Sequence, residues 1–277
     1  MITPEEILAL RDFARLAKPL DIPFILVGAG ARLVVFDWKY GFQSTRTTTD
    51  WDIGVQVSDW QAYERLRTVL TEGPHSVFAR GRLAHRFRHR SGVEVDLLPF
   101  GGVEREDGTL AWPKNGSEMS VLGFREVLSN AATLDLGQGV TVPVATAPGL
   151  AVLKIFAFDE RRKNDDLQDL YFIMTNYDRA GNEERIFDEL SDLLSDRTLE
   201  YESAGAYLLG TDVRRLASLA TCERLLPILA TLTYPYASEL TPLVARLGVE
   251  RHEDAERIRI SKLFKAFQTG IEAVSRK

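Results

Sequence analysis

The sequence predicts an α+β fold: a mixed sheet with flanking helices to about residue 145, followed by a helical C-terminal half. Three observations carry this expectation. The continuous apolar run FILV at 24–27 stops at glycine, as a buried strand entering a tight turn does. Residues 52–57 and 93–99 are rich in Ile, Val and Leu, and the second of these alternates with acids. Beyond about residue 183, strand signals give way to apolar-faced helices between short polar loops.

The first element is a helix opened by Thr3, with Pro4 at its first position, Glu6 spaced for a capping box, and Ile7, Leu10, Phe13, Ala14 and Ala17 as its apolar stripe. Asp21, Ile22 and Pro23 end that pattern before the first strand. A helix is expected from residue 31 to 36, then a loop over 37–41. Trp60, Tyr63, Leu66 and Leu70 recur at helical spacing after the second strand. Residues 83–89 and 93–99 read as a hairpin turning at Ser91 and Gly92, and 101–116 as a Gly-rich, charged excursion. A second change of character falls near residue 146, where a helix with an apolar face runs to 161 and another follows over 166–176. The expected division is residues 1–145 and 146–277.

With 277 residues the chain can bury a full core, and 45% hydrophobic with 27% charged residues excludes collagen-like and disordered classes. One cysteine, Cys222, excludes an internal disulfide framework and any cysteine-based zinc site, and fits a reducing compartment. No apolar run approaches the ~18 residues that span a bilayer, and the first residues lack a signal-peptide pattern, so the expectation is a cytoplasmic protein with no membrane partner. A net charge of −6 argues against a general nucleic-acid coat. One local exception is RGRLAHRFRHR at 80–90, with five arginines, two histidines and no acid. It reads either as a solvated basic hairpin or as a phosphate-handling surface.

Three features point to chemistry. Gly28, Ala29 and Gly30 close the first strand, where glycine permits backbone to approach a ligand and the next helix can face an anion; such a turn also serves structure alone. Asp50 and Asp52 flank Trp51. On a strand, carboxylates at i and i+2 share one face about 6.5–7 Å apart, and two anions so placed call for a cation or for solvent. Hard oxygen donors suit Mg²⁺ or Mn²⁺. Asp96 interrupts the apolar alternation of 93–98 and shares a face with Glu94 and Leu98, where an unpartnered acid is costly.

A glycine turn, a D-x-D strand and a single Asp on a later strand, in that order, resemble the nucleotidyltransferase superfamily of the DNA polymerase β type. Lys154 on a helix, then Arg161, Arg162 and Lys163, then Asp166-Leu167-Gln168-Asp169-Leu170, resemble more closely the AbiEii/AbiGii-type nucleotidyltransferases, many of them toxins of toxin–antitoxin systems. The matching motifs span 27–171. Two departures are Ala29, where the superfamily often has Gly or Ser, and the nineteen residues between Gly30 and Asp50.

The resemblance implies a nucleotidyltransferase-like catalytic core at 1–145 and a helical region at 146–277 contributing to the nucleotide or acceptor site. It implies transfer of a nucleoside monophosphate from an NTP to an acceptor hydroxyl, with Asp50, Asp52 and Asp96 on two Mg²⁺ (or Mn²⁺) ions and Asp96 nearest the acceptor. Gly28, Ala29 and Gly30 would meet the triphosphate, with Lys154 and Arg46 supplying cations. Asp166 and Asp169 would orient Lys154, or else make only surface ion pairs. RNA, notably tRNA, is an expected acceptor through Arg80, Arg82, Arg86, Arg88 and Arg90, and a cognate antitoxin a possible partner. The competing expectation is a catalytically silent nucleotide-binding or partner-binding module on the same fold.

Overall fold

The computed structural model describes residues 2–43, 48, 50–247 and 253–273. Arg46 lies outside the described residues. The chain divides into two compact units, Met1–Thr146 and Ala147–Lys277.

In the first unit, α1 (Pro4–Ala17) starts with the expected capping box: the Thr3 hydroxyl accepts from the Glu6 amide at 3.2 Å, and Glu6 accepts from the Thr3 amide at 2.7 Å. Strand β1 (Phe24–Val27) passes directly into α2 (Gly28–Arg32), three residues before the expected helix start. A π-helical stretch (Leu33–Lys39) then continues α2 through the end of the expected helix, where Val34, Val35 and Phe36 are buried, and into the expected loop, where the Trp38 indole donates to the Asp135 carbonyl at 2.9 Å. Strand β2 (Asp50–Val57) is followed by α3 (Trp60–Thr71), which Asp59 caps by accepting from the Ala62 amide at 2.7 Å.

Then come β3 (Phe78–Arg80), β4 (Arg86–His89) and β5 (Glu94–Gly101), the last two forming the hairpin around Ser91 and Gly92. The excursion after β5 contains a small separate ribbon, β6 (Thr109–Ala111) with β7 (Glu118–Ser120). Helix α4 (Phe124–Ser129) and the hairpin β8 (Ala132–Asp135) with β9 (Thr141–Val144) complete the unit. The seven-stranded mixed sheet has the order β3-β4-β5-β2-β1-β9-β8, with β2 and β5 parallel and β1 antiparallel to β2.

Strand alternation sorts the two sheet faces by chemistry. Trp51, Ile53, Val55, Phe87, Val95 and Leu97 are buried on the face covered by α1 and α3. There Phe13 meets Phe24 edge-on at 5.1 Å, and the Tyr63 hydroxyl donates to the Leu97 carbonyl at 3.1 Å. The other face carries Asp50, Asp52 and Gly54 on β2 and Glu94, Asp96, Leu98 and Phe100 on β5. Helix α4 covers only the far end of it, with Phe124 against Gly54 and 5.4 Å from the Phe100 ring.

The second unit is helical: α5 (Ala147–Arg161), α6 (Asn164–Asn176), α7 (Glu183–Ser195), α8 (Tyr201–Leu216), α9 (Leu219–Leu232), α10 (Thr241–Arg246) and α11 (Glu253–Glu272). Helices α8 and α11 cross closely at Gly210 and Gly270. A Cβ on Gly210 would overlap the Phe267 carbonyl oxygen, and one on Gly270 the Tyr207 carbonyl oxygen. Among the described residues, no helix is long and apolar enough to cross a membrane.

Two consequences are measurable. Gly210→Ala should destabilise the chain by about 1–3 kcal/mol by overpacking. Gly205→Ala on the same helix, where the nearest atom to an added Cβ is 3.3 Å away rather than 2.2 Å, should cost clearly less; urea unfolding of both variants compares them. The second concerns His89, fully buried with Nε2 3.2 Å from Asp12 Oδ2 and Nδ1 accepting from the Ser91 amide at 3.2 Å. Burial lowers its pKa, outweighing the opposing pull of Asp12. The unfolded chain therefore takes up this proton first, and stability should fall as pH drops below about 6.5. In His89→Gln that decline should be shallower but not absent, since burial also lowers His85.

Candidate active site

The parallel register of β2 and β5 sets Asp50 beside Glu94 and Asp52 beside Asp96. The antiparallel register of β4 then sets Arg86 opposite Asp96. One sheet face thus gathers four carboxylates and a guanidinium from three adjacent strands. Arg86 grips Asp96 with two bonds, Nε to Oδ1 at 2.8 Å and Nη2 to Oδ2 at 2.7 Å. The same Nη2 donates to Asp50 Oδ2 at 2.6 Å, and Nη1 donates to Glu94 Oε2 at 3.1 Å.

The side chain of Asp96 is 9% exposed, against 28% for Arg86, 30% for Asp50 and 39% for Glu94. The site is therefore a shallow acidic face with one deep carboxylate. The Asp96 hydrogen bond, reinforced by Asp50 and Glu94, pushes the Arg86 pKa still higher, so its charge is permanent. His85 stands next to the group, its Nε2 3.7 Å from Asp96 Oδ2 and its ring 5.5 Å from that of Trp112, which follows β6. Burial lowers the His85 pKa in spite of Asp96.

The glycine turn adjoins this face because Val27 pairs with Asp52. Gly28 has φ of 68°, in the left-handed region, and a Cβ there would overlap Asp52 Oδ2. Glycine is required on both counts. Gly28 and Ala29 remain partly exposed, whereas Gly30 is buried with Trp51 against it, so Gly30 acts in packing.

The donors on this face are all carboxylate oxygens, the set that hard divalent ions take. Two like charges 4 Å apart repel by about 4 kcal/mol at an effective dielectric of 20, so the face needs a cation. Among the described residues, no three His, Cys, Asp or Glu side chains already converge as a metal-ligand group. The Arg86 guanidinium sits between them, a positive charge already standing where the donors call for one. As placed, Asp50, Glu94 and Asp96 have that guanidinium as their cation, while their oxygens are of the kind that hard divalent ions take.

In the second unit, Lys154, Asp166 and Asp169 form a cluster in which all three side chains are at most 9% exposed. Lys154 Nζ lies 3.1 Å from Asp166 Oδ1 and 2.6 Å from Asp169 Oδ2. Arg161 adds two bonds of 2.7 Å to Asp166. Burial raises the Asp166 pKa, but the Arg161 bonds and the Lys154 charge outweigh it, and the net shift is downward. The reading of Asp166 and Asp169 as surface ion pairs is thereby corrected: the apolar packing of α5 and α6 encloses them.

The basic stretch does not form one surface. Arg86 is committed to acids of the site, and Arg88, next to it on the same face, is exposed. Arg80 turns the other way, to Glu72 at 2.9 Å, and Arg90 lies 3.5 Å from Asp12; Arg82 is exposed in the loop before β4. Sequence reasoning missed Arg86 and Glu94 as members of the site. The signal was present, since a hairpin centred on Ser91 places residue 86 opposite residue 96.

No family model and no curated protein matches the chain. Among solved structures it is similar to the antibiotic-resistance factor ANT(2'')-Ia, at 12% identity and a TM-score of 0.37, over 70% of this chain and 96% of that one. It is similar also to an antigenic nucleotidyltransferase-like protein from Paracoccidioides brasiliensis, at 15% identity and a TM-score of 0.40, over 70% and 93% of the two chains. A CCA-adding enzyme from Thermotoga maritima, solved in complex with tRNA, aligns at 11% identity and a TM-score of 0.25, over 100% of this chain and 85% of that one.

Lys154→Met removes the cation from between two carboxylates that are almost wholly buried. Breaking a buried pair in this way should cost about 3–5 kcal/mol, read as a lowered urea midpoint. Arg161→Met, whose side chain is 47% exposed, should cost distinctly less.

Proposed function

We propose that this protein is a divalent-metal-dependent nucleotidyltransferase, moving a nucleoside monophosphate from an NTP to an acceptor hydroxyl with release of pyrophosphate. The observation that carries the reading is the shared sheet face of Asp50, Asp52 and Asp96 beside the left-handed Gly28 turn. Asp50, Asp52 and Asp96 would hold Mg²⁺ or Mn²⁺, which when bound polarises the phosphoryl oxygens and lowers the pKa of the attacking hydroxyl. Asp96, the deepest of the three, is suited to take that hydroxyl's proton on a carboxylate oxygen. Gly28 and Ala29, both partly exposed, are suited to present backbone amides to triphosphate oxygens, with Gly30 holding the turn against Trp51.

Arg46 is the proposed cation for the triphosphate; Lys154, whose charge is already met by Asp166 and Asp169, is proposed to act within the second unit. The finer reading is an AbiEii-like toxin, paired with an antitoxin, that modifies RNA such as tRNA, with Arg82 and Arg88 as the exposed arginines available to phosphate. In it, residues 1–145 form the catalytic core and 146–277 contribute to the nucleotide or acceptor site. One observation favours a second reading, a silent nucleotide-binding or partner-binding module: Arg86 already occupies the Oδ2 atoms of Asp50 and Asp96.

The test is transfer of α-phosphate label from each of the four NTPs, with Mg²⁺ or Mn²⁺, into total RNA and total protein of a bacterial lysate. Label is expected in RNA with the intact protein and absent with the Asp50→Ala, Asp52→Ala double variant. Label in protein would change the acceptor class. NTP binding without label in either fraction would select the silent module.

A further inference from the structure

The group that stands out is Arg86, which bonds three of the four carboxylates on the face, two of them proposed metal ligands. Its Nη2 bonds the Oδ2 atoms of both Asp50 and Asp96, so a divalent ion claiming those oxygens and the guanidinium as now placed exclude each other. Two features make the arginine displaceable. It is 28% exposed, so its head can swing toward solvent, and its third partner, Glu94, is at 39% the most exposed acid of the group. Asp96, at 9%, cannot be left without a cation.

We propose that Arg86 is a resident counter-cation that holds the acidic face together without metal and competes with the divalent ion, releasing Asp50 and Asp96 while keeping Glu94. This rests on the reading of Asp50, Asp52 and Asp96 as metal ligands. Its consequence is a built-in threshold. The apparent dissociation constant for metal is the intrinsic one divided by the fraction of molecules whose arginine is withdrawn. Arg86 therefore acts as a positioning residue and sets how much free divalent ion the site requires.

The experiment is Mn²⁺ titration followed by electron paramagnetic resonance of the free ion, with thermal unfolding in EDTA and in Mn²⁺. It uses the full chain as wild type, Arg86→Gln, Arg86→Lys and Asp50→Ala. Arg86→Gln should melt lower than wild type in EDTA, bind Mn²⁺ at least tenfold more tightly, and gain more in Tm from the ion. Arg86→Lys should fall between, because an ammonium cannot bridge two carboxylates as a planar guanidinium does. Should Arg86→Gln not fold, tighter binding by Arg86→Lys supports the proposal and unchanged or weaker binding overturns it. Unchanged or weaker binding by folded Arg86→Gln, with uptake still lost in Asp50→Ala, overturns the counter-cation and leaves the metal ligands standing. If no protein takes up Mn²⁺, Arg86→Gln included, both fall together.

Discussion

Charge crowding on the open face of β2 and β5 is the constraint that the rest of the first unit accommodates. Parallel pairing with no slip brings Asp50, Asp52, Glu94 and Asp96 onto one patch, and hydrogen-bonded strands are only about 4.8 Å apart. A neutral sheet would tolerate this register easily. Here it is bearable because Arg86, on the next strand, reaches three of the four acids. Bidentate contact with Asp96 also fixes the guanidinium plane, which a lysine on β4 could not reproduce.

The apolar half of the design absorbs what the acidic half costs. Every second residue of β2, β4 and β5 enters the α1 and α3 layer, so the strands cannot slip by one position without exposing Trp51, Phe87 and Val95. That same lock holds the acids in register. Gly28 adds a second constraint, since its left-handed backbone and the adjacent Asp52 oxygen leave room for no side chain. The glycine turn and the D-x-D strand are therefore one structural unit, which is why they read together in the sequence.

What was legible there follows the range of the interaction. The Thr3 cap, the β4–β5 hairpin and the shared face of Asp50 and Asp52 depend on neighbours a few residues away, and periodicity shows them. The helix over 31–36 was legible, but not its π-helical form or its continuation to Lys39, where the Trp38 indole donates to the distant Asp135 carbonyl at 2.9 Å. The short strands β8 and β9 carry too few residues for a pattern to stand out. Arg86 read as part of a basic surface because composition counts charges without their direction; the strand alternation within 86–89 and the centre of the hairpin together point it at Asp96. Asp166 and Asp169 are at i and i+3 on a helix beside three basic residues, a pattern that an exposed face and a buried cluster share.

The two ionic clusters differ in the property that decides what each can do. Asp166 and Asp169 are matched by Lys154 and Arg161, formally neutral, and all but Arg161 are shut away from water; such a group resists change, since moving Lys154 strands two acids in a low dielectric. The face around Arg86 gathers four carboxylates, three of them bonded to that guanidinium, and most of its members are partly wet. Negative charge gathered on a partly wet face has affinity for a cation from outside. Its cost is limited by solvent at Asp50 and Glu94 and by the arginine at Asp96. Stability thus favours the closed cluster, and chemistry that needs an added ion favours the open one. The acidic face is accordingly the proposed place of the reaction, and the buried cluster ties α5 to α6.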